Sequence, residues 1–424
     1  MVPSVPPLPK EVVYPVLIVG FFISFFYVFV LLQENKEKTP RASYFPKVAF
    51  VIPAKNVEKY IEKCIKCVLE QEYKNKIYIV VVNDASQDTT REKVESLMKK
   101  SYHLREIILL ERKKSLGKKA PVVNTGLRYV LKNLDVELVA VLDADTFIEK
   151  DVLVKACSYF QHDDKIAAIT CPLLPHKPKK FLEKMQYVEY VMAMFFRKLL
   201  SRINALCFTP AFSIFRTSFF KEAGLYNENT WTEDFDIALR VRSRFYKIIQ
   251  IEGKAWFIAP DTWSKLRKER VRWAHGTFQA LLKDYRYMIS PKYGTVGTFF
   301  LPVTVLLGLA LIMVAFMIVV YGIFSSFINL LHNLSLGWRP SLELKINLFD
   351  ISVFLSDPRV ILGFFALFLS ILFLVFAQKY TRGKINLFYY FVFIIPFSWF
   401  LAYTQLEGLI RYIFKLKMTW GKMH

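Results

Sequence analysis

Four uncharged runs punctuate this chain, and between the first two the pattern changes to short apolar stretches alternating with amphipathic ones. Residues 12–32 carry no charged side chain over 21 positions. As a helix rising about 1.5 Å per residue, that run crosses a hydrocarbon core of about 30 Å. A secretory signal is the competing reading. The run is too long for the apolar part of a signal, its leader is poor in basic residues, and no small-residue cleavage site follows, so it is read as a span. Further uncharged runs cover 297–331, 360–377 and 385–406, the last interrupted by Pro396.

Lys36, Lys38, Arg41 and Lys47 follow the first run, against one lysine before it. The positive-inside bias then puts the N-terminus outside and the residues after the first span in the cytosol. Lys379, Arg382 and Lys384 mark the loop between the third and fourth runs as inside too. The same count leaves Arg411, Lys415, Lys417 and Lys422 outside. Either residues 399–414 turn back through or along the membrane, or the tail departs from the rule.

Residues 45–290 read differently. Apolar, β-branched stretches at 48–53, 77–82, 106–110 and 138–142 predict strands, and helical spacing predicts helices near 58–70, 89–99, 121–131 and 151–160. Such alternation predicts an α/β domain with a mostly parallel sheet covered by helices. Ligands bind such sheets beyond the carboxyl ends of the strands. The expected organisation is a span in 1–33, the α/β domain at 45–290 with an interfacial segment near 262–293, and a membrane region at 297–416.

Composition agrees. Of 424 residues 54% are apolar and 16% aromatic, with 39 Phe, a load that a purely soluble chain rarely carries. The 58 basic against 36 acidic side chains, net +22, suit nucleic acid, anionic lipid or a phosphorylated substrate. No nucleic-acid motif accompanies the excess, so it is assigned to a bilayer surface and to phosphates. Cys64 and Cys67 form a single CxxC with no second pair, which reads as core cysteines rather than zinc ligands.

Chemistry concentrates where two predicted strands end. The second runs into Asn83-Asp84-Ala85-Ser86-Gln87-Asp88, the fourth into Asp143-Ala144-Asp145. An Asp-x-Asp in extended backbone puts both carboxylates on one face. There they suit a hard cation such as Mg²⁺ or Mn²⁺ shared with phosphate oxygens. Alone, the motif is more often loop chemistry or a helix cap, and its position after a buried strand shifts the odds. Downstream, Trp231-Thr232-Glu233-Asp234-Phe235-Asp236 precedes a helical stretch. Thr232 is expected to cap that helix, with the acids matching its dipole. The functional reading makes one carboxylate a general base for an attacking hydroxyl. Arg267-Lys268-Glu269-Arg270-Val271-Arg272-Trp273 offers arginine for a pyrophosphate and tryptophan for a sugar ring, or else a basic interfacial helix.

Taken in order, these motifs resemble the membrane-integrated family 2 glycosyltransferases, among them cellulose, hyaluronan, chitin and poly-N-acetylglucosamine synthases. The matching elements are Ile52-Pro53-Ala54-Lys55-Asn56, the Asn83–Ser86 turn, Gly117-Lys118 through Asn124, Asp143-x-Asp145, Thr232-Glu233-Asp234 and the Gln-x-x-Arg-Trp-like 269–273 segment. The resemblance covers about residues 45–290 and extends loosely to the flanking spans and Trp420-Gly421-Lys422. It implies a GT-A-type α/β fold with helices on both faces of the sheet, flanked by one N-terminal and about three C-terminal transmembrane helices.

The resemblance further implies a cytosolic site that takes sugar from a UDP-sugar with Mg²⁺ or Mn²⁺, at a multi-pass protein of the cell membrane. Asp84 would bind uracil, Asp143 the ribose or sugar, and Asp145 the metal. Ala54, Asn56, Lys118 and Arg272 would complete the donor site, Arg272 at the diphosphate. Asp234 would be the base with Glu233 beside it, and Trp273 would help form the acceptor site. The implied acceptor is a growing β-linked polysaccharide passed through the protein's own spans, or a lipid such as a polyprenyl phosphate or ceramide-like molecule.

Three positions depart from the pattern: Glu269 for Gln, Pro210 for Gly, and Asn83 for Asp. A carboxylate at 269 repels a diphosphate unless Arg270, Arg272 or a proton offsets it. It points to a different acceptor or to non-processive transfer. A transporter is the remaining class, disfavoured because the cores of the runs hold no ionisable residue.

Overall fold

The computed structural model describes residues 10–33, 40–305, 321, 327–328, 330–331 and 358–416. Most of the 297–331 run and the closing Trp420-Gly421-Lys422 lie outside these residues. Two compact units divide the chain, one of Met1–Glu34 with Val303–Lys379, the other of Asn35–Pro302 with Tyr380–His424.

In the first unit, helix α1 (Lys10–Leu32) stacks Phe21 on Phe365 at 5.7 Å. Among the described residues, one helix, Ile361–Thr381, is long and apolar enough to cross a membrane.

The second unit opens β1 (Val48–Ala54), α2 (Ile61–Leu69), β2 (Ile77–Asn83), α3 (Thr90–Met98), β3 (Arg105–Glu111), α4 (Lys119–Asn133) and β4 (Leu138–Leu142). All four strands expected from the pattern are there, with three of the four expected helices; the fourth follows as α5. Next come β5 (Thr146–Ile148), α5 (Val152–His162), β6 (Ile166–Thr170), β7 (Leu173–Pro175), α6 (Phe181–Arg202), β8 (Phe212–Arg216) and α7 (Thr217–Ala223). Then follow α8 (Glu233–Ser243), β9 (Lys247–Gln250), β10 (Ala255–Phe257) and α9 (Trp263–Gln279). Short π- and 3-10-helical turns follow over 280–300, and later α-helices among the described residues include α10 (Pro358–Thr381), which crosses the boundary between units, α11 (Leu387–Val392) and α12 (Ser398–Ile413).

Seven strands form one sheet in the order β3-β2-β1-β4-β8-β6-β9. Every pairing is parallel except those of β8, which runs antiparallel to β4 and β6. Parallel strands buried on both faces read as near-continuous apolar runs, and β1, β2 and β4 do so. A smaller sheet, β5-β10-β7, flanks the cleft. Gly126 lets α4 lie directly on the large sheet, since a Cβ there would come within 2.5 Å of Val51 Cγ1. That contact brings the start of α4 to the carboxyl ends of β1 and β2.

The 385–406 run becomes α11, a π-helical turn at Phe393–Phe397 containing Pro396, and the first half of α12. Phe397 joins Leu182, Met185 and Leu266 in one buried cluster of α6 and α9. Gly408 sets α12 against α9, because a Cβ there would meet the Ala274 Cβ at 2.4 Å. Arg267 on α9 pairs with Glu407 at 2.8 Å, and Glu407 with Arg411 at 2.8 Å.

Candidate active site

The ends of β1, β2 and β4 share one edge of the sheet, and short hydrogen bonds lock them there. Ala54 O accepts from Asp84 N at 2.8 Å. Asn56 N donates to Ser86 Oγ at 3.0 Å, and Asn56 Oδ1 accepts from Gln87 N at 2.9 Å. Asn56 takes a left-handed φ of +50°, which Asn tolerates better than most residues. Asp84 is 2% exposed, and Arg112 pairs with it at 2.9 Å. The Ser115 hydroxyl donates to its other oxygen. Asn83 explains itself: its amide donates to Glu111 Oε2 at 2.9 Å on β3, a bond an aspartate could not make.

Beyond this edge lies a cleft of about 660 Å³. All ten residues singled out in the sequence line it. Asp143 and Asp145 follow β4, and Lys118 stands just before α4, its Nζ donating to Glu228 O at 2.8 Å. Glu233 and Asp234 open α8, while α9 supplies Arg272 and Trp273. Arg272 Nη1 donates to the Trp231 carbonyl at 2.8 Å, so α9 grips the segment leading into α8.

Thr232 does not do what the sequence suggested. It occupies the N-cap position of α8, but its hydroxyl makes no cap bond. Its side chain instead packs on Gly276 of α9, where a Cβ would fall 2.4 Å from Thr232 Oγ1. Tertiary packing thus overrides the local capping preference.

The residue that sequence reading missed is Lys119. Its Nζ lies 2.5 Å from Asp143 and 3.5 Å from Glu233. Burial would lower its pKa, but Asp143 and Glu233 outweigh burial and hold the ammonium well up. The adjacent Lys118, which fits the motif, drew attention from it; placing it needed the phase of α4. A pKa held up in this way contributes stability in full below the ordinary lysine range. That contribution fades only as pH rises through the elevated value. Lys119→Met would leave two carboxylates without their cation and is expected to cost about 3–5 kcal/mol at neutral pH. Thermal unfolding checks it, with the deficit shrinking at acid pH as carboxylates protonate; an unchanged midpoint at neutral pH would refute it.

Three neighbouring acids are thereby told apart. Asp236 is tied to Arg240 at 2.6 Å and to Asn227, a structural role. Glu233 is held by Lys119. Asp234 accepts a bond from Phe235 N at 2.9 Å, and its pKa is raised, first by burial and then by Glu233, against the pull of Lys119 and Arg272. Glu269 is offset as well: Arg270 meets it at 2.7 Å and Glu189 at 2.8 Å, with the guanidinium 4.1 Å from the Trp273 ring centre.

Residues 46–276, more than half of the chain, match the family described as glycosyltransferase like family 2. The poly-beta-1,6-N-acetyl-D-glucosamine synthase of Staphylococcus aureus (strain COL) is 27% identical over 273 residues, 63% of each chain. That of Staphylococcus epidermidis is 28% identical over 295 residues, 66% of this chain and 67% of the relative. The match to the first thus spans less than two thirds of the relative's length. Among solved structures, a mannosyltransferase from Pyrobaculum calidifontis in complex with GDP-Man and Mn²⁺ aligns over 95% of this chain and 99% of its own. Its TM-score is 0.59 at 16% identity, which establishes a shared, GT-A-like α/β fold.

Proposed function

Since the chain belongs to the glycosyltransferase like family 2, we propose that it moves a sugar, with inversion, from a UDP-sugar onto the end of a growing β-linked polysaccharide. The observation that carries this reading is the division of labour between Glu233 and Asp234 in one cleft. One carboxylate is anchored by Lys119; its neighbour, with a raised pKa, faces the space where an acceptor would enter.

In this reading Asp84 receives the uracil and Asp143 the ribose or sugar, with Ala54, Asn56 and Lys118 completing the donor wall. Arg272 meets the diphosphate and Trp273 offers its ring to the acceptor sugar. The acceptor oxygen attacks the anomeric carbon, its proton passes to Asp234, and the bond from that carbon to the β-phosphate oxygen breaks to release UDP.

The residues fit a divalent cation of a particular kind. Among the described residues no three His, Cys, Asp or Glu side chains gather to hold a metal by themselves. Mg²⁺ and similar hard ions are instead held by one or two carboxylates together with substrate phosphates. Asp145, at the end of β4 and 3% exposed, is the proposed ligand. Such an ion would neutralise charge on the departing diphosphate. The site is proposed to lie on the cytosolic side of the cell membrane, supported by the basic residues after the first apolar run and by the apolar helix Ile361–Thr381.

Membranes carrying the protein, incubated with radiolabelled UDP-sugars and Mg²⁺ or Mn²⁺, are expected to move one label into a large polymer. Label confined to a small lipid-soluble product would replace the polymer with single transfer. No incorporation from any UDP-sugar would overturn the reading.

A further inference from the structure

Among the described residues five cations line the cleft, and four have partners within the protein. Lys55 donates to Ser115 Oγ at 2.7 Å and Lys118 to the Glu228 carbonyl. Lys119 sits between Asp143 and Glu233, and Arg272 holds the Trp231 carbonyl. Arg197, on α6, also lines the cleft but makes no hydrogen bond or ion pair among the described residues. Its guanidinium lies 4.4 Å from the centre of the Phe208 ring, which stacks on Phe235 beside Asp234. The contrast with Arg270 is instructive. That nearby guanidinium is neutralised by both Glu189 and Glu269.

A guanidinium stays protonated at any physiological pH and offers five donors in a fork matched to carboxylate and phosphate. Arg197 is partly exposed; burial lowers its pKa, while Tyr190, Asp234 and Glu189 pull it back, so the cost of partly withdrawing its charge from water is opposed only through space. A ligand oxyanion would offset that cost. The donor diphosphate already has Arg272 and the cation proposed at Asp145. Arg197 lies over the Phe208 ring and close enough to Tyr190 and Asp234 for both to act on its charge, which sets it beside the proposed base.

We propose that Arg197 selects an acceptor sugar bearing an anionic group, phosphate ester or carboxylate, and holds that group while Asp234 takes the proton from the neighbouring hydroxyl. Arg197 is thus a specificity residue for acceptor binding and takes no part in bond making. The inference rests on the glycosyl transfer proposed above and adds the acceptor's charge. Two sources share this chemistry: a saccharide carried on a lipid phosphate, and an acidic sugar at the end of the polymer.

The test compares three acceptors with the full chain in membranes: N-acetylglucosamine on a short isoprenyl diphosphate, a uronic-acid-terminated disaccharide, and a neutral disaccharide. One anionic acceptor is expected to exceed the neutral one about ten- to hundredfold in kcat/KM, through KM, as befits hydrogen bonds to a charged group. Which of the two does so identifies the source. Arg197→Gln should collapse that preference toward unity and Arg197→Lys should recover part of it. UDP affinity is titrated alongside. A neutral acceptor used at least as well as both anionic ones would overturn the inference while leaving glycosyl transfer intact. So would a loss of UDP affinity in Arg197→Gln equal to the loss in kcat/KM, since that places Arg197 on the donor. Absence of both UDP binding and transfer to every acceptor would overturn the proposed function and this inference with it.

Discussion

Asp234→Asn is expected to lower turnover by about a hundred- to ten-thousand-fold while UDP affinity stays near that of the unsubstituted protein. The substitution preserves size, and the amide oxygen can still accept the Phe235 N–H bond. The start of α8 survives too, because Thr232 is fixed there by Gly276 rather than by a cap bond. Only the capacity to receive a proton is lost. The pH profile gives a second readout. The base acts deprotonated, and burial together with Glu233 raises its pKa, so activity should climb with pH through a limb above the usual carboxylate range. Glu233→Gln removes the repelling charge and should shift that limb to lower pH. Parallel falls in turnover and UDP affinity in Asp234→Asn would instead assign Asp234 to the donor site or the fold.

The first four strands and the helices between them were legible because each is a long apolar or amphipathic run bounded by polar turns. Their order alone put Asp84, Asp143 and Asp145 at strand ends. Of the strands after residue 145, β5, β7 and β10 escaped notice for a physical reason: they are three residues each, too short for a periodicity to declare itself. Lys119 and Arg197 escaped for another. Their importance lies in which carboxylates do or do not reach them, and the partners of Lys119, Asp143 and Glu233, come from the turn after β4 and the start of α8. Glu269 was legible as an anomaly, with its resolution by Arg270 already offered by the adjacent residue, but the second carboxylate on Arg270, Glu189, is supplied by α6. Thr232 shows the limit of local rules, since its spacing to Glu233 and Asp236 spelled a cap and the fold used it as a packing surface.

Chelation and Asp145→Ala should each abolish transfer and strongly weaken UDP binding. The argument is one of charge. Asp143, Asp145, Glu233 and Asp234 all line the cleft, and Lys119 is paired with Asp143 and Glu233. A diphosphate brought among these carboxylates in a site shielded from water is repelled, and the repulsion grows as the effective dielectric falls. Arg272 meets one side of that diphosphate in the proposed arrangement, which leaves the face toward β4 to a hard cation shared between Asp145 and phosphate oxygen. Binding of UDP measured by calorimetry separates this requirement from catalysis. With EDTA in excess the affinity should fall, and added Mg²⁺ or Mn²⁺ should restore it in the unsubstituted protein but not in Asp145→Ala. Asp143→Asn would behave differently, since it also removes the partner of Lys119 and should lower the unfolding temperature along with affinity. Full transfer in excess EDTA would remove the metal from the site, and Asp145 would then have to be explained by the fold alone.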